Sequence, residues 1–360
     1  MTRLMRLVST VVLTAIFVAG FVAVAGMQTA QSRAVGAAGA ASYTPSKTPW
    51  GDPDLQGTYT NKDENGIPME RPTQFDGKKL EEVDDSSEFA EVVKERNQRA
   101  LAAAAGIGGR DTGAGPVHWY EHYDAKNSRA WLITDPADGK IPPLTPAAQK
   151  AAAARTAAAA ARRASGRGDA DSWEDRSLYD RCITRGIPGS MMPAIYGNAY
   201  DITQGPGTVA IRYEMVHETR VIPLVDPSTS SGSPRAESRG DSARPAKTIT
   251  SFLGAPRGHF EGNTLVVETK NFSDRGAYRN ANPETFTLIE RFTPIAPNKI
   301  QWSVTINDPS TWTRPWTYTM QLTRDSGQPL FEYGCHEGNY GLRNILSAAR
   351  AEDAAAKKSK

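Results

Sequence analysis

Two cysteine-bearing segments contain most of the side chains that could do chemistry. Residues 171–200 read DSWEDRSLYDRCITRGIPGSMMPAIYGNAY around Cys182, and residues 331–341 read FEYGCHEGNYG around Cys335. These are the only two cysteines among 360 residues, so a bridge between them would make the two segments one surface. We take that surface as the candidate working site.

The first segment offers a binding site for an anion. A guanidinium fork fits a carboxylate or a phosphate, and Arg181 or Arg185 could supply one. The neighbouring acids Glu174, Asp175 and Asp180 favour an alternative, in which interleaved opposite charges pair with each other and organise a loop.

Three further side chains could move protons. His217 shares the parity of an alternating apolar run, so a regular strand would turn His217 inward and Glu218 and Arg220 outward. An interior imidazole can contact a ligand or act as a general base, and the alternative is a core histidine satisfied by one hydrogen bond. In the second segment, His336 or Glu337 could supply the acid, so proton transfer on an anionic or carbonyl substrate is a candidate reaction.

Aromatic side chains could bind a ring or a sugar. Trp312 and Trp316 enclose Arg314 in the sequence WTRPW, which can form a stacking platform or a wall of the core. The candidate ligand-binding residues are Tyr213, Trp302, Trp312, Arg314, Trp316, Tyr333 and Tyr340.

Other kinds of chemistry find little support. His118 and His122 could share a helical face and bind zinc, but five scattered histidines without a close cysteine pair predict no metal site. Neither His-Glu dipeptide continues into a metalloprotease motif, and no nucleophile elbow, phosphate loop or dinucleotide fingerprint occurs. We predict no cofactor. A net charge of +2 without a basic stripe gives no reason to expect nucleic-acid binding.

The N-terminus predicts export. Arg3 and Arg6 precede an apolar run at 7–25 that ends in Ala-Val-Ala, as in a cleaved signal peptide, and the alternative is an uncleaved anchor. No later segment is apolar enough to span a bilayer, so no membrane span is expected after cleavage. We expect a periplasmic or secreted protein, in an oxidising compartment that favours a Cys182–Cys335 disulfide over two free thiols.

The rest of the chain divides by composition. The expected parts are a signal peptide at 1–25, a flexible leader at 26–45, an N-terminal segment with helices at 46–170, a β domain at 171–345 and a polar tail at 346–360. Thr145 and Pro146 begin an exposed, Ala-rich helix.

The β domain is predicted from apolar side chains that alternate with period two. Its expected inward residues include Val209, Ile211, Tyr213, Trp302, Val304, Trp316 and Tyr318. Phe331, Tyr333 and Cys335 would form the last strand, and the polar stretch 227–247 would be a loop. Six or more strands with short links favour an antiparallel up-and-down barrel of the lipocalin kind, with a sandwich as second choice.

Seven stretches resemble an uncharacterised family of exported proteins from environmental and soil bacteria. They are PWGDPDLQGTYTN, ADGKIPPLTP, DSWEDRSLYDRCITRGIPGSMMPAIYGNAY, RYEMVHETRVIPL, GHFEGNTLVVETKNFSD, DPSTWTRPW and YGCHEGNYGL. The resemblance covers most of residues 49–350 and implies export. It implies no catalytic residue, because the family has no established activity, and the 227–247 and His118–His122 regions depart from the family pattern.

Three functions remain open on the sequence. The first is a small-molecule-binding barrel whose ligand is unknown. The second is a hydrolase, lyase or isomerase on the same scaffold, with His217 as base and the arginines and the His336-Glu337 pair as partners. The third is an envelope interaction protein without a pocket. The sequence does not indicate the oligomeric state.

Overall fold

The structure of the chain is a computed structural model. It describes residues 43–106, 121, 124–165, 170–225, 249–325, 327 and 329–358. The predicted signal peptide, residues 26–42 of the predicted leader, His118, His122 and the predicted loop at 227–247 lie outside the described residues.

Within the described residues, ten strands form one sheet that curls into a nearly closed barrel, as the alternating pattern predicts. They are β1 (Gly57–Thr60), β2 (Ile133–Asp135), β3 (Ala199–Gly205), β4 (Thr208–Tyr213), β5 (Thr219–Pro223), β6 (Ala255–Glu261), β7 (Thr264–Lys270), β8 (Thr287–Ala296), β9 (Lys299–Asn307) and β10 (Trp316–Arg324). Nine strands follow the order β5-β4-β3-β1-β10-β9-β8-β7-β6, every neighbouring pair is antiparallel, and β2 pairs with β10 beside β1. Because β1 inserts between β3 and β10, the barrel wall begins before residue 171 and is not a purely sequential meander.

The two ends of this strand path meet at a short bridge. Leu224, just after β5, pairs in parallel with Gly258 of β6, and the Val225 backbone N–H donates to the Gly258 carbonyl at 2.8 Å. A Cβ at Gly258 would lie 2.9 Å from Ile222 Cγ2, so this approach of the two edges needs glycine. The bridge joins the two edges at one point, so the barrel is nearly closed.

The barrel interior is filled by the residues that the alternation places inward. Val209, Ile211, Tyr213, Trp302, Val304, Trp316 and Tyr318 are all fully buried. Burying a large apolar side chain stabilises the fold by about 1.5–3 kcal/mol. The aromatic side chains therefore act as core residues.

A buried ion pair crosses this interior. Arg220 in β5 donates from Nη1 to Glu290 Oε2 at 2.5 Å, and the Trp302 indole donates to Glu290 Oε1 at 3.1 Å. Burial opposes the charge on Arg220, but the Glu290 carboxylate beside it offsets that effect and raises the pKa of Arg220. Glu290, which interrupts the apolar face of β8, therefore neutralises Arg220.

The prediction that Arg220 points to solvent and His217 to the interior is wrong. The strand geometry ends at Tyr213, and a short turn follows in which Val216 and His217 have φ of 64° and 57°. These two left-handed residues change the parity, so β5 resumes with Arg220 and Ile222 buried. His217 is only partly buried.

Four helices accompany the barrel in the described part of the chain. They are α1 (Leu80–Asp84), α2 (Ser87–Gly106), α3 (Pro146–Ala164) and α4 (Gly341–Lys358). Helix α3 is the predicted Ala-rich helix: Thr145 Oγ1 caps it by accepting from Ala148 N at 3.2 Å, and none of its residues is buried. No helix among the described residues combines the length and the apolar character that crossing a membrane requires.

The C-terminal region differs from expectation. Residues 329–340, here called the C-terminal strap, have no regular secondary structure, so the predicted strand at Phe331, Tyr333 and Cys335 is wrong. Glycines at 334 and 338 interrupt the strand pattern, and Gly338 has φ of 68°. Helix α4 replaces most of the predicted polar tail, and Arg350 Nη1 attaches it to the Asp171 carbonyl at 2.7 Å.

Candidate functional site

An open cleft of about 650 Å³ lies at the end of the barrel where β7 connects to β8. This volume falls within the range of sites for small organic molecules. Two segments form the cleft, one preceding β3 and one connecting β7 to β8. Its lining residues are Ser177, Leu178, Tyr179, Thr184, Arg185, Gly186, Ile187, Gly189, Met192, Asp274, Arg275, Gly276, Ala277, Tyr278, Arg279 and Asn280.

The charge of this lining is strongly one-sided. In the part of the chain that the structure describes, Arg185, Arg275 and Arg279 line the cleft together with a single acid, Asp274. Within the described residues, none of the three guanidiniums forms an ion pair with a carboxylate. Like charges in a concave surface repel one another and raise the local concentration of anions. The cleft is therefore electrostatically suited to an anionic ligand.

Arg185 is held by an aromatic ring. Its guanidinium lies 5.5 Å from the centre of the Tyr179 ring, a cation–π geometry. Its Nη1 is buried and has no hydrogen-bond partner among the described residues. Leaving a buried charged donor unsatisfied costs about 1–3 kcal/mol or more. Arg185 as a whole is only partly buried and lines the cleft, so the accessible part of its side chain can receive a ligand acceptor.

The connection between β7 and β8, here called the second cleft segment, positions Arg279 in the same manner. Its guanidinium lies 5.6 Å from the Tyr278 ring centre and 6.0 Å from that of Trp316, at the start of β10. Arg279 Nε also donates to the Tyr278 hydroxyl at 3.2 Å. Arg279 and Asn280 both have positive φ, 52° and 60°. Such backbone conformations in non-glycine residues cluster at functional sites.

Arg275 connects the two segments of the cleft. Its Nη2 donates to the carbonyls of Glu174 at 3.1 Å and Arg176 at 2.9 Å, immediately before the first segment. Next to it, Gly276 approaches Phe252 so closely that a Cβ would lie 2.6 Å from the Phe252 carbonyl oxygen. Arg275 therefore braces the cleft, which leaves Arg185 and Arg279 as the cations best placed to receive a ligand.

The loop that carries Arg185 is fixed by the partly buried carboxyl group of Glu218. Thr184 Oγ1 donates to Glu218 Oε2 at 2.5 Å and accepts from the Gly186 backbone N–H at 2.8 Å. Burial raises the pKa of Glu218, while the hydrogen bond from Thr184 acts in the opposite direction. These bonds hold the backbone on both sides of Arg185.

The predicted disulfide between Cys182 and Cys335 is confirmed, with a Cα–Cα distance of 5.7 Å. It attaches the C-terminal strap to the first cleft segment. Beside it, the rings of Tyr196 and Tyr333 stack with centres 6.5 Å apart and hydroxyls at 3.4 Å. Burial and the neighbouring Tyr196 raise the pKa of Tyr179, while a hydrogen bond with Tyr333 and the charge of Arg185 act in the opposite direction. Tyr333 thus links the strap to Tyr179 of the first cleft segment.

The predicted catalytic residues do not assemble in this cleft. Of the five, only Arg185 lines it, and Arg181 instead packs over the Trp173 ring at 4.4 Å. His217 lies in the turn before β5, where its Nδ1 is buried without a partner among the described residues. His336 and Glu337 are exposed on the C-terminal strap.

The predicted ligand-binding residues lie elsewhere as well. Tyr213, Trp302 and Trp316 are packed in the barrel core, because their inward parity fills the interior. Trp312 belongs to the same core from the connection between β9 and β10, where it forms an isolated bridge with Leu144. Arg314 pairs with Asp135 at 2.9 Å. Tyr340 is exposed on the C-terminal strap, and Tyr333 belongs to the tyrosine cluster.

The sequence analysis does not identify the second cleft segment as a candidate binding site. Its residues Asp274 to Asn280 read DRGAYRN, with two arginines and a tyrosine around a glycine in a short connection between strands. That composition is the available signal, because polar connections at the end of a barrel are where ligand-binding residues concentrate.

Comparisons with known proteins return no match: no family model, no curated protein and no solved structure is similar to this chain. Across the described ranges, no group of three or more His, Cys, Asp or Glu side chains is arranged to hold a metal ion.

Proposed function

We propose that the protein binds a small organic anion in the cleft at the end of the barrel. The observation that carries this proposal is the set of three arginines that line one cleft without forming an ion pair among the described residues. The apolar side chains of Ile187 and Met192 in the same lining supply contact area for an organic body. Binding would offset the repulsion between the guanidiniums, which the single carboxylate of Asp274 balances only in part.

We also propose that the chain is an exported protein and a member of the exported bacterial family that its sequence resembles. The disulfide between Cys182 and Cys335 supports this proposal, since such bridges persist in oxidising compartments. The corresponding mature protein begins after residue 25. Export would place the cleft in contact with solutes outside the cytoplasm.

Two fluorescent probes with the same aromatic body test the binding proposal. One is 8-anilino-1-naphthalenesulfonate, an anion, and the other is N-phenyl-1-naphthylamine, which is neutral. We expect the anion to bind saturably, and Arg185→Gln to weaken it about tenfold, because a hydrogen bond to a charged group contributes about 1.5–3 kcal/mol and each 1.4 kcal/mol is tenfold. The neutral probe should not distinguish Arg185→Gln from the wild type.

Arg257→Gln is the matched control. Arg257 is an exposed arginine of β6 whose Nη1 donates to the carbonyl of Pro256 at 2.8 Å, and it does not line the cleft. This variant removes the same charge from the molecule and should bind both probes as the wild type does. If both variants lost anion binding equally, the loss would come from the change in the protein's net charge and not from the cleft. An unchanged affinity of Arg185→Gln for the anionic probe would refute the proposed site.

A further inference from the structure

We infer that the ligand of this cleft is a dianion, an organic molecule with two negative charges, and this inference rests on the proposed function. Among the described residues, the lining contains three arginines and one aspartate, so two positive charges remain in excess there. A monoanion would leave one of them uncompensated in a partly enclosed surface, where charge interactions are stronger than in bulk water. A dianion matches the charge of the site.

The two receiving cations come from different segments of the chain. Arg185 belongs to the segment before β3, and Arg279 to the connection between β7 and β8. Each lies against the tyrosine of its own segment, Tyr179 at 5.5 Å and Tyr278 at 5.6 Å. Each guanidinium is therefore held separately, so the site can receive two anionic groups at distinct positions.

Arg275 is not counted as a third receiving group. Its Nη2 is already used by the carbonyls of Glu174 and Arg176, and this bond fixes the spacing between the two cleft segments. Its charge still adds to the positive potential of the cleft. It acts as a positioning residue for Arg185 and Arg279.

Two kinds of organic molecule carry two negative charges near neutral pH. A dicarboxylate has them on separate groups, and a phosphomonoester has nearly two on one group. The arginine fork fits either group with two parallel hydrogen bonds. Apolar lining residues such as Leu178 and Ala277 favour a molecule whose charges are attached to a hydrocarbon or aromatic body.

Isothermal titration of the full-length mature protein with four small probes tests the inference. The probes are benzoate, isophthalate, terephthalate and phenyl phosphate, which share one aromatic ring and differ in charge. We expect at least one of the three dianions to bind about tenfold more tightly than benzoate, as one added charged hydrogen-bonding group predicts. The tightest dianion identifies the source: a phthalate isomer indicates a dicarboxylate, and phenyl phosphate indicates a phosphomonoester.

Substitutions test whether Arg279 contributes to dianion binding in addition to Arg185. Arg279→Gln should lower the affinity of the preferred dianion about tenfold, while Arg257→Gln leaves it unchanged. If benzoate binds and all dianions bind no more tightly, the dianion inference is overturned while the proposed anion site stands. If none of the four probes binds and the sulfonate probe also fails, both are overturned.

Discussion

Replacing Arg220 by methionine leaves the carboxylate of Glu290 in the barrel interior without its cation. The side chains of Arg220 and Glu290 are 1% and 0% exposed, and their oxygen–nitrogen distance is 2.5 Å. Removing one partner of such a pair costs about 3–5 kcal/mol, because a buried charge remains uncompensated. We therefore expect Arg220→Met to lower the free energy of unfolding by an amount in this range.

A second substitution distinguishes the energetic cost of losing the ion pair from the cost of leaving the Glu290 carboxylate buried without a cation. In Arg220→Met with Glu290→Gln, no charge remains in the interior, and the amide oxygen of the new side chain still accepts from the Trp302 indole. This double variant should recover most of the stability that the single variant loses, because a buried pair replaced as a whole is often neutral.

Urea denaturation followed by tryptophan fluorescence measures both effects, since Trp302 contacts Glu290 directly. The control is Arg212→Met, which breaks the partly exposed pair with Asp201 at 3.4 Å on the neighbouring strands. Surface pairs contribute about 0–1 kcal/mol. An Arg220→Met loss as small as that of Arg212→Met, or a double variant no more stable than the single one, would refute the reasoning.

The remaining two predictions concern pH and export. Burial raises the pKa of Asp84 to about 6, above the value of about 4 for an unfolded aspartate. The folded state therefore holds this proton more tightly, and the contribution of Asp84 to the free energy of unfolding falls as the pH rises from about 4 to about 6. Asp84→Asn should flatten that part of a plot of urea midpoint against pH, and an unchanged slope would count against the assignment. Mass mapping of non-reduced protein from the periplasmic fraction should show a chain that starts after Ala25 and a Cys182–Cys335 peptide pair. Absence of the protein from that fraction would contradict export, a retained N-terminus would contradict cleavage, and free thiols would contradict the disulfide.

The barrel could be predicted from the sequence because period-two alternation reports the buried face of a strand directly. In β9 and β10 every second residue is apolar, and those residues are the interior of the barrel. The prediction of which side chains point inward failed where the backbone departs from regular strand geometry. Val216 and His217 adopt left-handed conformations without a glycine to announce them. One such turn was enough to bury Arg220 and to leave His217 only partly buried.

The disulfide could be predicted because compartment and cysteine count restrict the pairing to one choice. The cleft could be predicted only in part. Arg185 was a candidate, since it lies near Cys182, but Arg279 lies in a connection more than ninety residues further along the chain. The barrel brings these segments together, and no local pattern records that contact. Glu290 was the clearest unused signal, because an acid on an apolar face predicts a buried cation opposite.

Helix α4 crosses the boundary that the sequence places at residue 346. Leu342, Ile345, Leu346 and Ala349 follow the spacing of one helical face, but a boundary placed at 346 divides this pattern. The composition of the last residues then suggested a polar tail. The pattern becomes visible when residues 341–358 are considered as one segment.

A crystal structure of the mature protein with 8-anilino-1-naphthalenesulfonate tests the anion site most directly. We predict that the sulfonate lies in the cleft between the two segments, with an oxygen within hydrogen-bond distance, about 3.2 Å or less, of the Arg185 guanidinium. The probe bound inside the barrel or on helix α4, with no anion at Arg185, would contradict the proposed function.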